Sequence, residues 1–264
     1  MSQRGFTLIE MSFVIILIGL IVSGGLFAFT PMLQKARINQ TNASLDQVES
    51  ALELFVIRNS RLPCPADGSI TINGANKANY GIELGGGANG SCTAALANSV
   101  IPWKTLGLDE AYSLDGWATR LSYWPSGVLA TSNSLTGSTT MIRAGTVYPT
   151  GPFLTLTDVV SSQIVTPPSV NDEAAYVLVS HGRSQWYGWN KVGVQIQPTL
   201  TEADKACNSD PTNAACAFSG TFTSGGPVGT YPPLANTTYF DDIVRWRSPA
   251  MIIQLCGSGS CGNP

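Results

Sequence analysis

The sequence predicts an α+β protein: one long N-terminal helix packed on an antiparallel β-sheet head. Three observations predict it. Residues 6–29 form an almost unbroken apolar run. Leu45, Val48, Leu52, Phe55 and Val56 recur at helical spacing. The remainder alternates short β-branched or aromatic runs with Gly-, Pro- and Asn-rich turns.

The first element is the apolar run. Phe6 to Phe29 makes a helix of about 36 Å at 1.5 Å per residue, against a bilayer core of roughly 30 Å. A secretory signal peptide would carry a shorter apolar core and a small-residue cleavage site; here Thr30-Pro31-Met32-Leu33-Gln34-Lys35 follows. Arg4, just ahead of the run, fits a cytoplasmic N-terminus. Glu10 is the sole charge between residues 6 and 34. A carboxylate there costs roughly 2.5–3.5 kcal/mol on insertion scales unless it finds a partner, which makes it a functional candidate. Gly19, Gly24 and Gly25 weaken the helix by about 1 kcal/mol each, and Pro31 removes a backbone donor, so softening is expected over 24–31.

The second element continues the same helix as an amphipathic stripe, Leu45 to Val56, with Asp46, Glu49, Glu53 and Arg58 on the polar faces. Pro63 ends it by about residue 61. The stripe needs a cover, which the head must supply. The chain therefore divides at 1–5, a short leader; 6–61, the helix, with 6–29 its membrane-spanning part; and 62–264, the head.

In the head, residues 69–99 read as a long loop, followed by a buried turn with a short helix at Ile101-Pro102-Trp103 and Leu106-Gly107-Leu108. Leu114–Tyr123 reads as a turn leading into a strand. Arg143–Val147 and Phe153–Asp158 are further strand candidates. Ala174–Ser180 is a central strand, and Ile243–Trp246 and Met251–Leu255 are late strands. Segments 125–172 and 197–238, rich in Thr, Pro, Gly and Asn, read as insertions.

Charged residues make up 12% of the chain and the net charge is −3, so nothing electrostatic favours nucleic acid as a partner. Six cysteines, Cys64, Cys92, Cys207, Cys216, Cys256 and Cys261, fit an oxidising compartment. Several connectivities are open; pairing of sequence neighbours, Cys64–Cys92, Cys207–Cys216 and Cys256–Cys261, is the expectation. Cys-x-x-Cys spacing is absent and there is one histidine, so no metal centre is expected. His181 has no nucleophile elbow near it, Gly85–Gly90 is followed by no Gly-Lys-Ser/Thr, and no enzymatic activity is expected. Trp186, Tyr187 and Trp189 read as loop and sheet packing, or as a contact patch for a neighbouring subunit or surface ligand.

Arg4-Gly5-Phe6-Thr7-Leu8-Ile9-Glu10-Met11 resembles the signature of type IV pilins and type II secretion pseudopilins. The resemblance implies cleavage between Gly5 and Phe6 by a prepilin peptidase, N-methylation of Phe6 by the same enzyme, and a role for Glu10 in assembly. It also implies insertion in the inner membrane with the head in the periplasm. The chain would then join other pilins or pseudopilins in a helical filament, on an inner-membrane assembly platform. A neutralising pair between Glu10 and the Phe6 amine of a neighbour lowers the cost of burying both. The large head fits a minor subunit; the alternative is an anchored or filament-tip adhesin whose head binds a surface ligand.

Three head motifs, Asp115–Gly127, Tyr176–Asn190 and Phe240–Trp246, resemble the ordered motifs of the major pseudopilin of type II secretion, several of which hold calcium in a loop. Asp242 takes the position of the later aspartate of that family. The loop here reads Ser180-His181-Gly182-Arg183-Ser184, without an aspartate. Calcium needs about 6–8 oxygen ligands. The expectation is therefore no cofactor, with a salt bridge from Arg183 to Asp241 or Asp242 as the simplest replacement for a vestigial calcium site.

Overall fold

The computed structural model describes residues 7–85, 92, 98–127, 129–130, 154–157, 163–165, 174–198, 203–209, 221–223 and 240–255, with the side chains of 21–30, 155–157, 163–165, 203–204, 221–223, 250 and 253 outside that set. Helix α1 spans Leu8–Asn59. It continues through Pro31, so the softening expected over 24–31 is not a break in the helix. Its end lies two residues before the sequence-based limit. Ser60 adopts a left-handed cap, φ 55°, and its N–H returns to the Val56 carbonyl. The cap turns the chain back toward the head.

The second half of α1 is built into the head. Leu45, Val48, Leu52 and Val56 are fully buried, as their spacing predicts, and Thr41 and Ser44 extend the buried face by one turn. Phe55 sits at the margin, with the Arg61 guanidinium 5.2 Å from its ring centroid.

The cover is an antiparallel sheet. Its strands are β1 (Ala66–Asp67), β2 (Ser99–Val100), β4 (Ser122–Pro125), β7 (Tyr176–Ser180) and β10 (Ile243–Arg247), in the order β1-β2-β4-β7-β10. Strand β7 is paired on both sides: Val177 opposes Trp124 of β4 and Trp246 of β10. Strand alternation places Tyr123, Tyr176 and Leu178 against α1, in one core with Leu62, Ile101, Leu121 and Ile252. Trp124, Val177 and Val179 point the other way and form a second core with Leu154 and Ala174. Both faces of β7 are therefore buried, which explains its unbroken apolar sequence.

Two smaller sheets flank this one. Strand β3 (Thr119–Arg120) pairs antiparallel with β8 (Trp189–Asn190). Strand β5 (Thr155–Thr157) lies between β6 (Gln163–Val165), antiparallel, and β9 (Thr221–Thr223), parallel. The described residues of the two expected insertions thus include strands, and helix α2 (Ala203–Ser209) belongs to the second. The strand candidate Arg143–Val147 lies outside the described residues. The short helix expected near 106–108 is a turn, and the helical turn follows at Glu110–Ser113, capped by the Asp109 carboxylate on the Ala111 N–H.

Met251–Leu255 is a correction. It belongs to helix α3 (Pro249–Leu255), not to a strand. Pro249 stands at the first helical position, where its fixed φ and missing N–H suit a helix start. Ala250, Met251, Gln254 and Leu255 are good helix formers. A short apolar run does not distinguish strand from helix; its flanks do. Ile252 of α3 completes the core beneath α1.

Candidate functional site

The tip of α1 is closed by its own side chains. Thr7 is the N-cap, and the Glu10 carboxylate accepts from both its backbone N–H and its hydroxyl through Oε2, each at 2.9 Å. The Glu10 N–H donates to Thr7 Oγ1 at 3.3 Å, which completes a capping box. This use of Glu10 follows from the Thr-x-x-Glu spacing, and it lies wholly on the C-terminal side of the Gly5–Phe6 bond. Gly5 and Phe6 themselves lie outside the described residues.

Beyond the cap, the apolar side chains are bare. Leu8 is 92% exposed, and Ile9, Met11, Phe13, Val14, Ile15, Ile16, Leu17, Ile18 and Leu20 are all exposed. Residues 13–18 are consecutive and therefore sample every face of a helix. Met32 and Leu33 are exposed as well. Among the described residues, no helix is long and apolar enough to cross a membrane; the side chains of 21–29, the last part of the 6–29 span expected to do so, lie outside them.

Two polar contacts fasten α1 to the head, one at Thr41, ahead of the core stripe, and one at Asp46 and Glu49, alongside it. The turn Asp115-Gly116-Trp117-Ala118 docks on the helix: Gly116 N–H donates to Thr41 Oγ1 at 2.9 Å, and a Cβ on Gly116 would overlap the Arg37 carbonyl. Arg245 and Arg247, spaced two apart on the α1 side of β10, reach down to the helix. Arg245 pairs with Asp46 and Glu49, and Arg247 pairs with Glu49 at 2.8 Å. Burial raises the Glu49 carboxyl above its ordinary range, against the two guanidinium groups.

Above that turn lies a cluster of buried polar groups. Asp115 accepts from the Trp117 and Thr119 N–H groups through Oδ1, each at 2.9 Å, and from the Ser180 hydroxyl through Oδ2 at 2.7 Å. Burial nevertheless pushes its carboxyl up to about 6. His181 is fully buried, with Nε2 2.9 Å from Ser122 Oγ. Burial lowers its pKa to about 4, against Asp242 and with the help of the Lys205 ammonium. The serine, histidine and aspartate are neighbours, but Asp115 is engaged by Ser180 and backbone N–H groups rather than by the imidazole. Ser122 is itself buried. The geometry is that of a packed polar core, not of an oriented base beside an exposed nucleophile.

Asp241 and Asp242 come together, and the cation between them is Lys205 of α2. Its Nζ pairs with both carboxylates and its side chain is fully buried, 5.7 Å from the Phe240 ring centroid. Asp241 also accepts from the Ser184 N–H at 2.7 Å and its hydroxyl at 2.9 Å. Asp242 accepts from the Asn208 amide at 2.9 Å. Gly182, at φ +61°, brings its backbone against Asp241, where a Cβ would collide. Burial pulls the Lys205 ammonium down, but Asp242 and Asp241 outweigh it and hold its pKa above that of an ordinary lysine. Arg183, the residue expected near these carboxylates, lines a cavity of about 190 Å³ beside α1 with Leu33, Gln34, Arg37 and Trp117. Lys205 carried no signal for this role beyond a charge and helix-forming neighbours inside a charge-poor insertion.

Among the cysteines, Cys64 and Cys92 form a disulfide with Cα atoms 5.2 Å apart, fixing the loop that leaves α1. The same loop is tied by the bidentate Arg61–Glu83 pair and by Arg120, whose guanidinium donates to the carbonyls of Gly68, Ile70 and Lys191. Cys207 is disulfide-bonded as well. Cys216, Cys256 and Cys261 lie outside the described residues. Of the aromatic cluster, Trp186 is buried and the Trp189 ring packs on Gly68. No group of three or more potential metal ligands occurs among the described residues.

Residues 1–26 match the family model of the prokaryotic N-terminal methylation motif. The chain thus carries a prepilin signature of the type IV pilin and pseudopilin kind, which implies processing by a prepilin peptidase and assembly with other such chains. Searches of curated proteins and of solved structures found no match.

Proposed function

We propose that this chain is a structural subunit, a minor pilin or pseudopilin, of a type IV pilus or type II secretion-like filament. One observation carries the reading: a single helix has its second half built into a protein core, while its first described turns, Leu8–Leu20, carry bare apolar side chains on every face. Burying each such Leu, Ile, Val, Phe or Met is worth roughly 1.5–3 kcal/mol. Ten of them between Leu8 and Leu20 amount to more than the net stability of a typical domain, about 5–15 kcal/mol. That surface is covered in the working protein, first by lipid and then by neighbouring helices.

The order of events follows. Residues 6–29 anchor the chain in the inner membrane with the head, 62–264, in the periplasm. Prepilin peptidase removes residues 1–5 and methylates the Phe6 amine. The capping box of Thr7 and Glu10 survives the cut, because each of its bonds lies beyond Gly5. The new end is therefore helical from the start, with a carboxylate one turn from a cationic amine. In the filament Glu10 meets the Phe6 amine of a neighbour, which neutralises both and sets the axial register.

Intact and N-terminal masses from the native host, with and without its prepilin peptidase, test this. The expected result is loss of Met1–Gly5 and one added methyl on Phe6, both dependent on the peptidase. An intact Met1 in cells with active peptidase would make the chain an ordinary anchored domain.

A further inference from the structure

Helix α2 carries one cation into a pocket made by two carboxylates. We propose that the Lys205 ammonium is the permanent cation of this pocket, so that the head closes the turns at 181–184 and 240–242 without calcium. The resemblance to the major pseudopilin implies a calcium ion near these aspartates, and the residues present do not fit one. Calcium requires about 6–8 oxygens turned toward a common centre. Here the groups facing Asp241 and Asp242 are donors: the ammonium, the Ser184 N–H and hydroxyl, and the Asn208 amide. Each of the four carboxylate oxygens already accepts at least one hydrogen bond from the chain itself.

The substitution has physical logic. Two buried carboxylates side by side repel and need a compensating positive charge. A soluble ion supplies that charge only when its concentration exceeds its dissociation constant. A lysine on a helix anchored beside Cys207 is always present. It brings three donors on a tethered point charge, and all of its side chain is dry. Gly182 lets the 181–184 turn approach Asp241 closely enough for Ser184 to complete the donor set. The segment carrying α2 thereby acquires a reason to be where it is: it delivers the cation.

The test uses the processed full chain in detergent, melted in millimolar CaCl2 and in EGTA. Wild type is expected to melt at one temperature in both. Lys205→Met, which keeps the stem and removes the charge, is expected to lose roughly 10 °C. Lys205→Met with Asp242→Asn is expected to recover part of that loss, because the defect is an unbalanced charge rather than a packing void. Lys205→Ala, which leaves room at the carboxylates, is expected to gain stability from CaCl2 that wild type does not. Wild type stabilised by CaCl2 or weakened by EGTA would overturn the proposal. So would a Lys205→Met protein that melts like wild type, or one that Asp242→Asn fails to rescue. An intact wild-type mass lower by one water would overturn it too, since the amine would then be consumed in an amide with a carboxyl group.

Discussion

Asp115 and His181 are buried in the same polar cluster, and their protons pull stability in opposite directions. Asp115 titrates near 3.8 when unfolded and about 6 when folded. Its contribution is complete below pH 3.8 and is lost as pH rises through 6. His181 titrates at 6.5 unfolded and about 4 folded. Its contribution is complete above pH 6.5 and is lost as pH falls through 4. Each is on the order of 3 kcal/mol, with opposite sign over nearly the same window, so the pair cancels. Asp115→Asn keeps an acceptor for the Trp117 and Thr119 N–H groups and removes one limb. Its stability is expected to rise from pH 4 to 6.5. His181→Gln removes the other limb, and its stability is expected to fall from pH 4 to 6. Urea midpoints across that range check both; two variants that track wild type would show that neither group carries the shift assigned to it.

At the scale of elements, the joint between α1 and the Asp115–Ala118 turn is set by one missing methyl group. Gly116→Ala is expected to cost about 1–3 kcal/mol, because its Cβ meets the Arg37 carbonyl, which sits in a helix and cannot give way. Gly127→Ala, where a Cβ meets nothing, is expected to stay within about 0.5 kcal/mol of wild type. Denaturant midpoints of the two variants check the contrast; equal values would mean that the turn does not rest on the helix. The elements themselves were unequally legible. The Leu45–Val56 stripe could be read from sequence because its partners lie at fixed local spacing, and β7 because both its faces are apolar. Met251–Leu255 was misread because the strand reading weighed the apolar run and not Pro249 ahead of it. The Lys205 pairing was invisible for a different reason: an ion pair across 36 residues leaves no periodicity and no local motif.

For the whole molecule, the proposed assembly turns on the contrast within α1 between the bare side chains of Leu8–Leu20 and the embedded stripe Leu45–Val56. Glu10→Ala is expected to leave membrane insertion intact, since it removes a charge from the apolar run, while impairing incorporation into filaments. Fractionation and filament shearing would check it, and normal incorporation would remove the role assigned to the amine pair. The joints at Arg37–Glu49 carry a mechanical consequence. In the proposed filament, tension would pull each subunit along the axis of α1. Coming from the tip, that load first meets the Gly116–Thr41 contact and then, together, the start of the Leu45–Val56 stripe and the Arg245 and Arg247 pairs at Asp46 and Glu49. It then enters β10 sideways through side chains, so the hydrogen bonds between β7 and β10 share it rather than opening one by one. In this geometry the Arg245–Asp46 pair would act as a shock absorber: exposed at Asp46, it can break and re-form in water while the buried Glu49 pairs and the apolar stripe hold.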